Sequence, residues 1–173
     1  MSAVVDRQTE RRSGHLEDLY VRHSPEATRL AFLLTSDREL AQDLAQEAFI
    51  RVAGRFAHLR QANVFESYLR RTVVNLCLSH FRRERVARTF VEREARARVP
   101  VFDQPDVATR DQLRAALRGL PMRQRAAVVL RYYHDLPEQQ VAEALRCSVP
   151  AARSLVARAM QSLREQIRGE EDE

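Results

Sequence analysis

The chain has 173 residues, 45% of them hydrophobic and 31% charged, with only four glycines and no Trp. That balance excludes a disordered or low-complexity chain, and the length allows one ordinary domain or two small ones. The formal net charge is +5, and all 29 basic residues are Arg, so an acidic partner is expected, with nucleic acid first. Arg brings a bidentate fork suited to phosphate or guanine. No apolar run approaches the roughly 18 residues of a membrane span. The first residues are polar and lack the apolar stretch of a signal peptide. A cytoplasmic protein without membrane insertion is therefore expected. Cys77 and Cys147 are far apart and have no metal-ligand spacing around them, so both are read as reduced, apolar side chains.

Leu, Ala, Arg, Glu and Gln dominate and favour helix, so the expected fold is all-α. Leu16, Leu19, Tyr20, His23, Ala27, Leu30, Ala31 and Leu34 recur at helical spacing, and Ser24-Pro25 reads as the start of a second helix. Asp37 is placed to cap a helix from Arg38 to about Arg55, with Leu40, Leu44, Ala48 and Val52 inward. Asn63 is placed to cap a long helix from Val64 to about Arg88, with Phe65, Leu69, Val73, Leu76 and Phe81 inward. These elements suit a small bundle over residues 14–88.

Residues 89–106 lose periodicity and contain Val99-Pro100 and Gln104-Pro105. Residues before Pro avoid the helical region, so this stretch reads as a linker. A second helical set follows over 107–168. Leu113, Ala116 and Leu117 make one face, closed by Gly119, and Pro121 opens a helix with Ala126, Val129 and Tyr132 or Tyr133 inward. Pro137 opens a short helix with Val141, Ala142 and Leu145, and Ser148 caps a last long one with Ala152, Leu155 or Val156, Ala159, Leu163 and Ile167 inward. Residues 169–173 read as an acidic, solvated tail.

Two constellations carry function. The first is a helix-turn-helix: the short helix, a tight turn at Arg146-Cys147, and a second helix that starts at Ser148 and turns Arg153, Ser154, Ala157 and Arg158 away from the core. A major groove admits one such helix. The second lies in the N-terminal half. Asp43, Gln46 and Glu47 form one polar stripe at i, i+3 and i+4. The next long helix is rich in Arg (Arg70, Arg71, Arg82, Arg83, Arg85, Arg88) with Phe65, Tyr68 and Phe81 interleaved. Charge with aromatic faces suits single-stranded nucleic acid. Phe65 and Phe81 are expected in the core. There is no phosphate loop, no nucleophile with its base and no cofactor signature, so an enzyme is not expected.

These residues resemble the extracytoplasmic-function sigma factors. Leu120-Pro121 with Arg125, followed by the helix-turn-helix and Leu163-Arg164, is similar to the family's second conserved domain. Ala41-Gln42-Asp43-Leu44-Ala45-Gln46-Glu47 is similar to its Ala-x-Asp-Leu-x-Gln-Glu signature, followed by Tyr68-Leu69, Asn75 and Arg82. The resemblance spans most of the chain and implies a promoter-selecting subunit without catalysis of its own or a cofactor. Its implied partners are core RNA polymerase, promoter DNA and an anti-sigma factor. Asp43, Leu44, Gln46 and Glu47 are then the polymerase contact. Arg60, Asn63, Tyr68, Arg70, Arg71, Asn75, Arg82 and Arg83 hold the melted minus-ten element, with the loop at 60–64 pocketing a flipped base. Ser148, Ala151, Arg153, Ser154 and Arg158 meet the minus-35 element.

The chain departs from the family at Ser79, where Asp is common, and at Arg146, where Gly is usual. It also has Pro150-Ala151-Ala152-Arg153-Ser154-Leu155 in place of Gly-Thr-Val-Lys-Ser-Arg. The lost hydroxyl and basic group predict a short or weakly specified minus-35 preference resting mainly on Arg153. Two other readings are a sigma-like interaction protein that reads promoters weakly and a stand-alone helix-turn-helix repressor. The repressor leaves the N-terminal signature without a role.

Overall fold

The computed structural model describes residues 2–56, 62–91 and 108–171, and among these the side chains of 16–54, 64–87 and 112–166. Arg60, most of the expected linker and the last two residues lie outside the described residues. Seven helices are seen among the described residues: α1 (Ser2–Thr35), α2 (Arg38–Phe56), α3 (Ala62–Val91), α4 (Ala108–Gly119), α5 (Met122–Val128), α6 (Glu138–Leu145) and α7 (Val149–Glu171). The chain forms two compact units, Met1–Leu76 and Cys77–Glu173, divided within α3.

In the N-terminal unit, α1 and α2 pack as a helical hairpin across a two-residue turn. Its chemistry is local. The Thr35 hydroxyl donates back to the Ala31 carbonyl at 2.8 Å, Ser36 takes a positive φ of 58°, and the Leu40 amide donates to Asp37 Oδ1 at 3.0 Å. Asp37 thus caps α2 as its sequence position predicts. The expected break at Ser24-Pro25 does not occur, since α1 runs straight through Pro25. A Pro inside a helix costs about 3 kcal/mol. Here Leu19, Ala27, Leu30, Ala31 and Leu34 are buried on both sides of it, and this continuous apolar face outweighs the lost backbone bond. Asn63 is not the cap of α3 either, because the helix already begins at Ala62.

The core of this unit is Ala41, Leu44, Ala45, Ala48, Phe49 and Val52 from α2 against Phe65, Leu69, Val73 and Val74 from α3 and the buried face of α1. An aromatic chain ties the three helices: Tyr20 meets Phe49 edge-on at 4.9 Å, Phe49 meets Phe65 at 5.5 Å, and Phe65 meets His23 at 5.5 Å. Phe65 is buried as expected. Phe81 is only half-buried, set edge-on to His80. Cys77 is fully buried and desolvation pushes its thiol up to about 12, in keeping with an inert apolar side chain.

In the C-terminal unit, α7 packs on α4, α5 and α6. Leu120, Ala126, Ala127, Val129, Leu130, Leu136, Val141, Ala142, Leu145, Ala152, Ala159 and Leu163 fill the core. Two inward expectations are corrected. Leu113 is exposed. Tyr132 and Tyr133 are exposed as well, because α5 widens into a π-helical segment over Val129–Tyr133. The His134 amide donates to the Val129 carbonyl at 3.2 Å across five residues. One extra residue in the turn buries Val129 and Leu130 together and rotates the tyrosines outward. At the chain end, α7 continues through Glu171, so the first acidic residues of the expected tail are helical backbone.

Arg125 is the one charged residue among the buried side chains described, at 7% exposure. Its Nη2 donates to the Arg118 carbonyl at 2.7 Å and the Leu120 carbonyl at 3.3 Å. Those groups lie where α4 ends and would otherwise lack partners. Burial, and secondarily the neighbouring Arg118 charge, lower the Arg125 pKa. Replacing Arg125 by Met keeps the apolar stem and removes the fork. We expect Arg125→Met to destabilise the chain by about 1–3 kcal/mol, read as a lower urea midpoint by far-ultraviolet circular dichroism. A midpoint equal to wild type would show that water satisfies the α4 end unaided.

Candidate nucleic-acid and polymerase interface

Helix α2 is two-sided. Leu44 lies in the core, on the inward face beneath the polar stripe. Asp43 and Gln46 are exposed on the other side and Glu47 is half-buried. Glu47 pairs with Arg51 one turn on. Exposed pairs of this spacing are worth only about 0.3–0.5 kcal/mol, so the carboxylate is easily released to another partner.

Along α3, Tyr68, Arg71, Asn75 and Arg82 fall at i, i+3, i+7 and i+14 and share one helix face. Tyr68 is 46% exposed although aromatic, and Arg71, Arg82 and Arg83 are exposed. Asn75 is half-buried, and its Nδ2 donates to the Arg71 carbonyl at 2.7 Å, which fixes the side chain against the helix. Arg70 stands apart: it points to a different side, is half-buried and pairs with Glu66. Asn63 is on the first turn of α3 with its side chain outside the described residues, as are residues 57–61.

The helix-turn-helix is formed by α6 and α7. Ala142 is buried where the helices meet, and its lack of bulk permits the close approach. Beyond α6, Arg146 takes the left-handed conformation, φ 51° and ψ 54°. The Cys147 amide donates to the Ala142 carbonyl at 3.0 Å and the Arg146 amide to the Glu143 carbonyl at 3.3 Å. This is the Schellman pattern, usually built on Gly. Ser148 Oγ accepts from the Ala151 amide at 3.3 Å and caps α7, with Pro150 in the first turn. On α7, Arg153, Ala157 and Arg158 are exposed, while Ala151 and Ser154 are half-buried. The sequence pattern missed the partner of Arg153. Its Nε reaches both Glu138 oxygens at 3.1 Å and its Nη2 reaches Oε2 at 2.6 Å, linking the start of α6 to the exposed edge of α7. The hydrogen bond with Arg153 lowers the Glu138 pKa and raises that of Arg153.

Among the described residues no cluster of His, Cys, Asp or Glu is arranged to hold a metal ion, and no helix is long and apolar enough to cross a membrane.

Residues 19–87 match the model of Sigma-70 region 2, and residues 110–163 match that of Sigma-70, region 4. The chain belongs to the extracytoplasmic-function sigma factors of the sigma-70 family. It is 34% identical over 157 residues to the ECF RNA polymerase sigma factor SigE of Mycolicibacterium smegmatis, covering 87% of this chain and 61% of that protein. To the RNA polymerase sigma-E factor of Streptomyces coelicolor it is 32% identical over 150 residues, covering 86% and 84%. The fold is similar to that of the sigma factor RpoE crystallised with the anti-sigma factor NepR from Bartonella quintana, with a TM-score of 0.71 at 19% identity, covering 88% of this chain and 96% of that one. This sigma factor is a transcription-initiation subunit that acts with core RNA polymerase and promoter DNA, and it is not an enzyme.

The left-handed Arg146 has a measurable consequence. A residue with a Cβ costs roughly 1–2 kcal/mol in this conformation, whereas Gly gives back part of that through its freer unfolded chain. Arg146→Gly should raise the urea midpoint by an amount equivalent to about 0.5–1 kcal/mol, and Arg146→Ala should not. A lower midpoint for the Gly variant would show that the Arg146 side chain stabilises the turn by more than its backbone strains it.

Proposed function

We propose that promoter selection is divided between a sigma region 2 domain at 14–88 and a region 4 domain at 107–168, joined by a linker at 89–106. The observation that carries this reading is the exposed Tyr68 on the same helix face as Arg71, Asn75 and Arg82. A half-exposed aromatic ring on a helix face that also carries guanidinium groups suits a base stacked out of a melted duplex, with the charges along its backbone. Asp43, Gln46 and Glu47 are the polymerase contact in this reading, since exposed carboxylates opposite a buried face suit Arg on a partner. Arg60, Asn63 and Arg83 join the minus-ten contact by resemblance, and Arg70 acts through its pair with Glu66. Ser148 fixes the start of the recognition helix, and Ala151, Arg153, Ser154 and Arg158 supply the minus-35 contact. Few donors remain on that helix, which supports a weakly specified minus-35 preference.

A protein working with RNA polymerase acts in the cytoplasm. The similar sigma factor from Bartonella quintana was crystallised with an anti-sigma factor, and a partner of that kind is proposed here on the family resemblance.

Two measurements test the division. Asp43→Arg combined with Glu47→Arg should abolish capture by core polymerase while leaving helicity intact, since breaking desolvated charge pairs commonly costs about 2–5 kcal/mol. Unchanged affinity in a pull-down would remove α2 from the interface. Tyr68→Ala should leave core binding intact and reduce open-complex formation, because stacking contributes about 1–3 kcal/mol per base. Permanganate reactivity of minus-ten thymines reads this directly, and equal reactivity in variant and wild type would count against the stacking role.

A further inference from the structure

We infer that Glu138 is a specificity-determining positioning residue for this sigma factor: it holds the Arg153 guanidinium by one edge so that Arg153 reads a base rather than clamping a phosphate. The inference rests on the reading of α7 as the minus-35 recognition helix and deepens it.

The geometry supplies the reason. Arg presents two forked edges, one made by Nε with a terminal nitrogen and one made by the two terminal nitrogens. Glu138 occupies the first, taking Nε and Nη2 on its two oxygens. The far edge, with Nη1, remains available. A guanidinium held by this bidentate pair swivels less on its long stem, so part of the entropy of ordering it is spent before DNA arrives. The two residues are fifteen apart in sequence and lie on different helices, so the pair fixes the guanidinium relative to the helix-turn-helix and not merely along α7. Its side chains are 66% and 39% exposed, which leaves the assembly open to a groove.

The second consequence is electrostatic. A carboxylate at a DNA-facing surface repels phosphate, and here its charge is met by Arg153. Together the two side chains carry no net charge, so Arg153 adds little to sequence-independent attraction while Glu138 holds it. Freed from Glu138, the same Arg becomes a mobile cation, and such cations go to phosphates. Removing Glu138 is therefore expected to move two readouts in opposite directions. Specific readout at one base falls, and non-specific affinity rises. A residue that only stabilised the fold would lower both.

The test uses holoenzyme assembled from core polymerase and the full chain, in wild-type form and with Glu138→Ala, Glu138→Gln, Arg153→Ala, and Glu138→Ala with Arg153→Ala. Each is selected against a duplex library randomised upstream of a fixed minus-ten element, at two salt concentrations. Arg153→Ala and Glu138→Ala should lose preference at the same single base position, by at least about fivefold. The double variant should lose no more than Arg153→Ala alone. Glu138→Ala should also bind non-specific duplex more tightly, with a salt slope steeper by about 0.9, the signature of one added phosphate contact. Glu138→Gln, whose amide oxygen still accepts from Arg153, should keep an intermediate preference. If Arg153→Ala relaxes the preference and Glu138→Ala leaves it whole, the positioning role is overturned while the recognition helix stands. If Arg153→Ala changes no base preference, the assignment of Arg153 as a reader fails and the inference with it. A parallel fall of specific and non-specific binding in Glu138→Ala would show Glu138 to be structural only.

Discussion

The C-terminal unit is held at its chain reversals by guanidinium groups donating to backbone carbonyls. Arg125 serves the end of α4, Arg123 Nη2 reaches the last carbonyl of α6 at Leu145 at 3.0 Å, and Arg131 Nη1 reaches the Leu136 carbonyl at 3.2 Å in the turn before α6. The constraint behind all three is the same. Short helices have many ends, each end leaves carbonyls without partners, and a small core cannot hide them unsatisfied. A planar fork on a long apolar stem crosses from one helix to the end of another while its methylenes join the packing. The absence of Lys reads from the sequence as a matter of composition. In the fold, Arg also does a task that the compact ammonium of Lys performs less well.

The helix-turn-helix inherits its geometry from those braces. α5 carries Arg123 to the end of α6, so the turn at Arg146 begins from a fixed point. The Schellman bonds then set the direction in which the chain leaves α6, Ser148 sets where α7 starts, and the small Ala142 sets how closely the helices cross. The π-helical segment belongs to the same solution. It inserts a residue that brings Val129 and Leu130 into the core together and lets the chain turn through Asp135, another residue with positive φ, into α6.

The sequence was most informative where a local rule acts alone. Asp37 and Ser148 were identifiable as caps because a cap bonds to amides only three residues away. The departure from Gly at Arg146 marked a strained position for the same reason. Leu44, Ala48 and Val52 of α2, Val141, Ala142 and Leu145 of α6, and Ala152, Ala159 and Leu163 of α7 are buried as their spacing predicts, while Leu40, Leu155 and Val156 are only half-buried and the Ile167 side chain lies outside the described residues. Rules failed where a longer-range interaction overrode a local one: Pro25 signals a helix start, but packing on both sides carries α1 through it. Tyr132 and Tyr133 were misplaced because 3.6-residue periodicity contains no signal for a π-turn. Leu44 belongs to the signature by resemblance, yet on an amphipathic helix the signature necessarily includes both faces. The Arg153–Glu138 pair was invisible because its partners lie on separate helices, and no spacing rule joins them.

Net charge is therefore a poor guide to where this protein meets nucleic acid, and the partition of its arginines is a better one. Arg51 and Arg70 are paired with glutamates one turn away. Arg123, Arg125 and Arg131 serve backbone carbonyls. Arg153 is held by Glu138. Each of these groups already has a partner that limits how freely it can turn toward a phosphate, and pulling the buried Arg125 away would unmake the end of α4. Exposed Arg22 and Arg29 on α1, Arg38 on α2, Arg71, Arg82 and Arg83 on α3, Arg118 on α4, and Arg158 and Arg164 on α7 hold none of these bonds. Free charge is thus spread over most of the helices, with three such groups on α3 and two on α7. Under the proposed reading both helices can draw phosphate without undoing the fold, and selectivity at α7 depends on how the few side chains near its start are held.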